Sequence, residues 1–161
     1  MAIAQACYDT LLENGRKAKL AAERGLVTAA LEAVIEANTL MSGLGFENTG
    51  VSAAHSICEG VAAIPEVGRK SLHGEQVAFG LICQLVAENA SDERLDEVLS
   101  FMRDVGLPMT LEALGVEPTE EHVRIIAEGS LTAYWKAQPQ PVTMESVIDI
   151  VRAADALGRG Y

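Results

Sequence analysis

The sequence predicts an all-α fold, a helical bundle of about seven helices. Three observations predict it. Apolar residues recur at three- and four-residue spacing rather than in alternation. Ala, Leu and Glu are abundant, and they lose little on entering a helix, while β-branched residues seldom cluster. The periodic stretches are separated by short Gly- or Pro-containing breaks, with neither an internal repeat nor a β-α-β alternation.

The elements follow in order. Residues 2–23 form an Ala/Lys/Glu-rich helix that stops near Gly25. Thr28 caps a second helix over 28–43, whose Leu31, Val34, Ile35, Leu40 and Met41 predict burial on most sides. Gly43-Leu44-Gly45-Phe46-Glu47-Asn48-Thr49-Gly50 reads as a glycine-rich break. Its spacing is not that of a dinucleotide fingerprint, and a helix precedes it where a strand would be needed.

A helix over 51–63 carries His55, and Pro65 to Ser71 is a turn. The helix over 74–89 shows Val77, Leu81 and Leu85 four residues apart. Residues 92–105 have the clearest apolar face, Leu95, Val98, Leu99, Met102 and Val105, ended by Gly106 and Pro108. A short turn over 109–115 follows. Thr119 caps the next helix, with Glu120 and Glu121 in its first turn and Val123, Ile126 and Ala127 facing inward. Gln138-Pro139-Gln140-Pro141 cannot continue that helix. Thr143 caps the last one, striped by Val147, Ile148 and Val151 and unravelling at Gly158-Arg159-Gly160.

Composition excludes several function classes. The net charge of −11 over 161 residues repels phosphate backbones and anionic lipids, so neither nucleic acid nor a membrane surface is an expected partner. No run approaches the ~20 apolar residues of a membrane span. The start lacks the basic and apolar regions of a signal peptide, which makes the cytoplasm the expected compartment. Cys7, Cys58 and Cys83 form no C-x-x-C pair and sit in apolar helical patterns, as buried free thiols do.

Two of the three histidines carry the chemistry. His55 and His73 are 18 positions apart, and on one straight helix they would be separated by about 27 Å. Gly60, Pro65 and Gly68 break the helix between them, so the chain can reverse and bring both imidazoles together. Small neighbours leave space beside His55, and His73 stands next to Gly74 at a helix start. Neutral imidazole is the commonest metal ligand, and two histidines with an open position suit catalytic zinc or non-haem iron. Two hydrogen-bonded, partly buried histidines are the structural alternative. Glu59, four residues after His55, is a candidate to orient the ring or a plain surface acid. Glu75 reads as a first-turn acid and His122 as a surface residue. Phe46 either lines a small-molecule pocket or anchors its loop.

Gly43-Leu44-Gly45-Phe46-Glu47-Asn48, Ala53-Ala54-His55 and Leu72-His73-Gly74-Glu75-Gln76-Val77-Ala78-Phe79-Gly80 together resemble the glycerol dehydrogenase family. That family lies within the metal-dependent, or iron-containing, alcohol dehydrogenases. Cys7-Tyr8-Asp9 and Met102-Arg103-Asp104-Val105-Gly106-Leu107-Pro108 fit the same likeness, which runs from about residue 6 onward. The resemblance implies the C-terminal helical domain of a dehydroquinate synthase-like fold, with residues 1–161 as a single metal- and substrate-binding domain. It implies an oxidoreductase that converts glycerol, or a related small diol, to dihydroxyacetone with NAD, and a zinc ion (iron being the other candidate) held by one Asp and two His. His55 and His73 match the two histidines, and Phe46 matches a position near the substrate. The family's N-terminal NAD-binding domain and its Asp ligand have no counterpart in these residues, and Asp9 does not align with that ligand. The expectation is therefore a truncated form inactive alone, with its nucleotide-binding domain as missing partner and a tendency to homo-oligomers. The other reading is a non-enzymatic helical assembly module.

Overall fold

A computed structural model describes residues 2–65, 67, 70–138 and 141–161. Among them there are eight α-helical segments and no strand. These are α1 (Ala2–Glu23), α2 (Ala29–Glu36), α3 (Ser42–Thr49), α4 (Ala53–Ala62), α5 (His73–Ala87), α6 (Asp92–Val105), α7 (Glu120–Gly129) and α8 (Met144–Gly160). A π turn over Ala37–Met41 joins α2 to α3 without a break, so the segments make seven rods, as the sequence predicts. The contacts cluster into two compact units, Met1–Val51 and Ser52–Tyr161.

The first unit pairs α1 with the α2–α3 rod. Gly25 ends α1 in the left-handed region, at φ 65°, and the Thr28 side chain accepts from the Leu31 N–H to start α2. The seam is built of small residues: Cys7, Ala18 and Ala21 are buried on α1, with Ala37 and Gly45 opposite. The Cys7 thiol donates to the Ala37 carbonyl at 3.5 Å.

Two expectations fail in this unit. The glycine-rich stretch is not a break, because residues 43–49 continue the helix and the chain leaves it only at Gly50, at φ 70°. Within it Gly45 is buried against Ala4 of α1. Nor is the second helix buried on most sides. Ile35 and Leu40 are each 51% exposed, because one neighbouring rod covers only one face.

In the second unit α4 is the central element. Seven of its ten residues are buried, and it packs on α5, on α7 and on the 3₁₀ turn Ala133–Ala137. Its neighbours come very close. A Cβ on Gly60 would overlap the Ile126 carbonyl of α7, and one on Gly80 of α5 would overlap the Ala54 carbonyl of α4. Ser56 and Thr132 share a hydroxyl bond of 2.7 Å, and the Ala54 N–H donates to Gln84 Oε1 at 3.1 Å, satisfying one free donor of the α4 start. Phe79, Ile82, Leu99, Leu114 and Ile126 are among the fully buried side chains of this unit's core.

The rest of this unit follows the sequence closely. Ser91 caps α6, Gly106 ends it in the left-handed region, and Val98, Leu99 and Met102 are buried. Thr119 caps α7, and Val123, Ile126 and Ala127 are buried. Thr143 caps α8, and Val147 and Val151 are buried. Three details differ. In α5 Leu85 is buried as expected, but Val77 and Leu81 are only half-buried, and Gln76, Ala78, Phe79, Gly80, Ile82 and Cys83 are buried instead, because α4 and α8 meet the helix from a different side. The α7 helix stops at Gly129, where the Ser130 hydroxyl turns back to the Ile126 carbonyl. Residues 158–160 remain helical, and buried Gly158 serves close approach to Met109 rather than unwinding. Of the predicted 138–141 loop, Pro139 and Gln140 lie outside the described residues, as does Gly68 of the predicted turn.

Candidate functional site

The chain reverses between α4 and α5 through stacked turns. Ile64 donates to Val61, Val67 to Ile64, and Lys70 and Ser71 both to Val67. Leu72 then lends its N–H to Glu75 Oε2 at 2.6 Å, which starts α5 at His73. This carboxylate does more than favour the dipole; it closes the first turn.

The reversal sets His55, in the first turn of α4, against His73, the first residue of α5. Their ring centroids are 5.7 Å apart and their planes are inclined by 52°. His55 is half-buried and His73 exposed, so the pair opens to solvent on one side. Burial, and next the charge of His73, hold the His55 imidazole below its usual titration range, while Glu59 pulls the other way. His55 is thus neutral at physiological pH and keeps a lone pair to offer.

Of the two readings for Glu59, an acid orienting the His55 ring or a plain surface acid, its exposed position matches the second, while a residue not singled out from the sequence for this site lies against His73. The buried Cys58 thiol lies 3.3 Å from His73 Nδ1 and 3.6 Å from Gln76 Oε1. Gln76 is itself buried, and its Nε2 donates to Ser71 Oγ at 3.1 Å and to the Ser71 carbonyl at 3.4 Å. The signal was present in the spacing. Cys58 stands three residues after His55, and Gln76 three after His73, so each shares a helix face with a histidine. Burial, with a smaller contribution from Glu59, raises the Cys58 thiol above its ordinary range and keeps it protonated.

The other expected residues lie elsewhere. Phe46 is on α3, in the first unit, and 55% exposed. His122 bonds through Nδ1 to the Glu117 carbonyl at 2.7 Å, a local contact at the α7 start. The three cysteines are free and buried.

As a donor set the pair offers two imidazole nitrogens. Two imidazoles are the right chemistry for zinc or iron. Among the described residues no group of three His, Cys, Asp or Glu could hold a metal ion.

No family model matches the sequence. Individual relatives do. The glycerol dehydrogenase of Pseudomonas putida is 44% identical over 162 residues, covering 99% of this chain and 44% of that protein. A solved structure described as a probable glycerol dehydrogenase from Sinorhizobium meliloti 1021 superposes with a TM-score of 0.94 at 43% identity, over 100% of this chain and 46% of that one. By sequence and by fold, this chain resembles glycerol dehydrogenase. It spans a little under half the length of the glycerol dehydrogenases it matches, a span that fits one domain of them. A glycolaldehyde reductase of Halobacterium salinarum is 41% identical over 160 residues, covering 98% of this chain and 44% of that protein. The likeness thus extends from glycerol dehydrogenases to an enzyme named for a smaller carbonyl compound.

Proposed function

We propose that residues 1–161 are the helical, metal-binding domain of an NAD-dependent glycerol dehydrogenase, with His55 and His73 as two ligands of a catalytic zinc. The observation that carries this reading is the approach of the two imidazoles to 5.7 Å, from opposite ends of a chain reversal. Its support is the likeness to glycerol dehydrogenases over the whole chain.

The bound ion supplies Lewis acidity, which lowers the pKa of a coordinated hydroxyl. The chain's own part is placement. His55 presents an uncharged imidazole, so that a cation does not compete with a proton for it. His73 presents the second from the start of α5, on the solvent side where a small diol can enter. In the overall reaction glycerol loses a hydride from carbon to NAD and a proton from oxygen, giving dihydroxyacetone and NADH. The remaining ligands and the nucleotide site come from outside the described residues, and the chain alone does not turn over.

The test has two arms. Zinc titration against a chelator dye measures metal binding by this chain, and NADH absorbance with glycerol, NAD and zinc measures turnover. Zinc binding lost in both His55→Ala and His73→Ala, with no NADH formed, supports the reading. A chain in which either variant binds zinc unchanged refutes the ligand assignment, and NADH production refutes the assignment of the nucleotide site elsewhere.

One observation favours a second reading, a helical assembly module. In the first unit Leu20, Leu26, Val27, Ile35, Leu40 and Leu44 are all exposed apolar side chains. Light scattering across a concentration series decides it; a monomer throughout argues against a module that assembles with itself.

A further inference from the structure

Cys58 and Gln76 are buried polar groups that the proposed chemistry leaves unused. Their hydrogen bonds have only one consistent direction. Gln76 Nε2 faces the Ser71 carbonyl, which can only accept, so the amide nitrogen donates there at 3.4 Å and to Ser71 Oγ at 3.1 Å. The other end of the same amide, Oε1, is then an acceptor, and it lies 3.6 Å from Cys58 Sγ. The single thiol proton goes to it. Sγ has no second proton for the imidazole 3.3 Å away, so His73 Nδ1 must be the donor. A neutral imidazole protonated at Nδ1 carries its lone pair at Nε2.

We infer that Cys58 and Gln76 are positioning residues that fix His73 as the Nδ1–H tautomer and leave Nε2 free for a cation. The polarity runs from His73 to Cys58 to Gln76, and the Gln76 amide is held in turn by Ser71. Without this chain an exposed imidazole exchanges freely between tautomers and ring orientations, and a metal must first select the competent one. The geometry also explains why a thiol sits here. It is small and apolar enough for the crowded face of α4, yet it can accept and donate at once. The inference rests on His73 being a metal ligand for its purpose, but the tautomer can be read without any metal.

The experiment uses the full chain, metal-free and labelled with ¹⁵N histidine, above the titration range of its imidazoles. Long-range ¹H–¹⁵N correlation reports which nitrogen of each ring carries the proton. His73 is expected as the Nδ1–H form, the reverse of what solvent-exposed imidazole prefers. Cys58→Ala is expected to return it to the Nε2–H form or to a mixture, and Cys58→Ser, which keeps a donor-acceptor hydroxyl, to preserve Nδ1–H. Gln76→Leu is expected to act like Cys58→Ala, since the thiol proton then turns toward the ring. Circular dichroism confirms that each variant is folded, and His122 serves as an internal control.

A wild-type His73 found as Nε2–H overturns the inference, and so does a spectrum unchanged in both Cys58→Ala and Gln76→Leu. Chelator competition supplies the second readout. Zinc affinity is expected to fall by about 10–100-fold in Cys58→Ala and to recover in Cys58→Ser. If the wild-type chain binds no zinc, the metal reading fails while the tautomer result still decides the relay.

Discussion

Gly80 lies so near Ala54 that a methyl group on it would overlap the Ala54 carbonyl oxygen. That contact sets how closely α5 lies on α4, and hence how closely the residues one helix carries approach those of the other. Gly80→Ala is therefore expected to cost about 1–3 kcal/mol through forced separation of the two backbones. It should also weaken zinc binding, although no ligand is changed. Chemical denaturation and chelator competition measure the two effects; a variant of unchanged stability and affinity would show that the crossing yields easily.

Gly43 behaves in the opposite way. It is helical, and a Cβ there would meet nothing within 4 Å. Gly43→Ala is expected to stabilise by about 0.5–1 kcal/mol, because it removes backbone freedom from the unfolded chain at no steric cost. A loss of stability would mean that this segment is, after all, a glycine-dependent loop.

Acid should destabilise the metal-free chain through His55. Its folded-state value is held below the ordinary 6.5, chiefly by burial. The unfolded chain therefore takes up the proton first as pH falls. The stabilisation tied to the neutral ring is complete above pH 6.5 and is lost as pH drops through the lower folded-state value. Thermal unfolding between neutral and mildly acidic pH should show a decline that His55→Gln flattens. Parallel curves for the two proteins would assign the acid sensitivity to other groups.

The thiols should differ in reactivity. Cys83 is fully buried, and burial pushes its thiol far above the usual range, whereas Cys7 lies at the edge of its helix seam at 9% exposure. A thiol-disulfide reagent added to the native chain is expected to modify Cys7 well before Cys83, with all three thiols reacting at once on unfolding. Mass spectrometry of the partly modified protein reads the order; early labelling of Cys83 would contradict its placement in the core.

Asp155 should matter more than its surface neighbours. It is buried, its Oδ1 accepts from the Leu111 N–H at 2.8 Å, and its Oδ2 accepts from Arg159 Nε at 2.9 Å. Asp155→Ala leaves that buried N–H without a partner, and about 1–3 kcal/mol of stability is expected to go with it. Denaturation of Asp155→Ala beside Asp149→Ala, at an exposed position of the same helix, separates this cost from the loss of a charge.

Local chemistry made most of the helices legible. Thr28, Thr119 and Thr143 cap the helices they were expected to cap, and Gly25 and Gly106 end two others at positive φ. Those signals act within one turn of the chain, so the residue order suffices to read them. The misread glycines are of another kind. At Gly158 the reason for glycine is a second segment close by, not the local backbone, and Gly45 continues a helix buried against α1; only packing reveals either.

The candidate site divides along the same line. Residue order alone determined that two imidazoles flank a break where the chain can reverse, and it carried the family likeness. Tertiary structure decided that the rings meet at 5.7 Å and that Cys58, rather than Glu59, touches one of them. Helical periodicity states which residues share a face. It does not state how far a neighbouring helix is rotated or how near it lies, and contacts across a reversal depend on both.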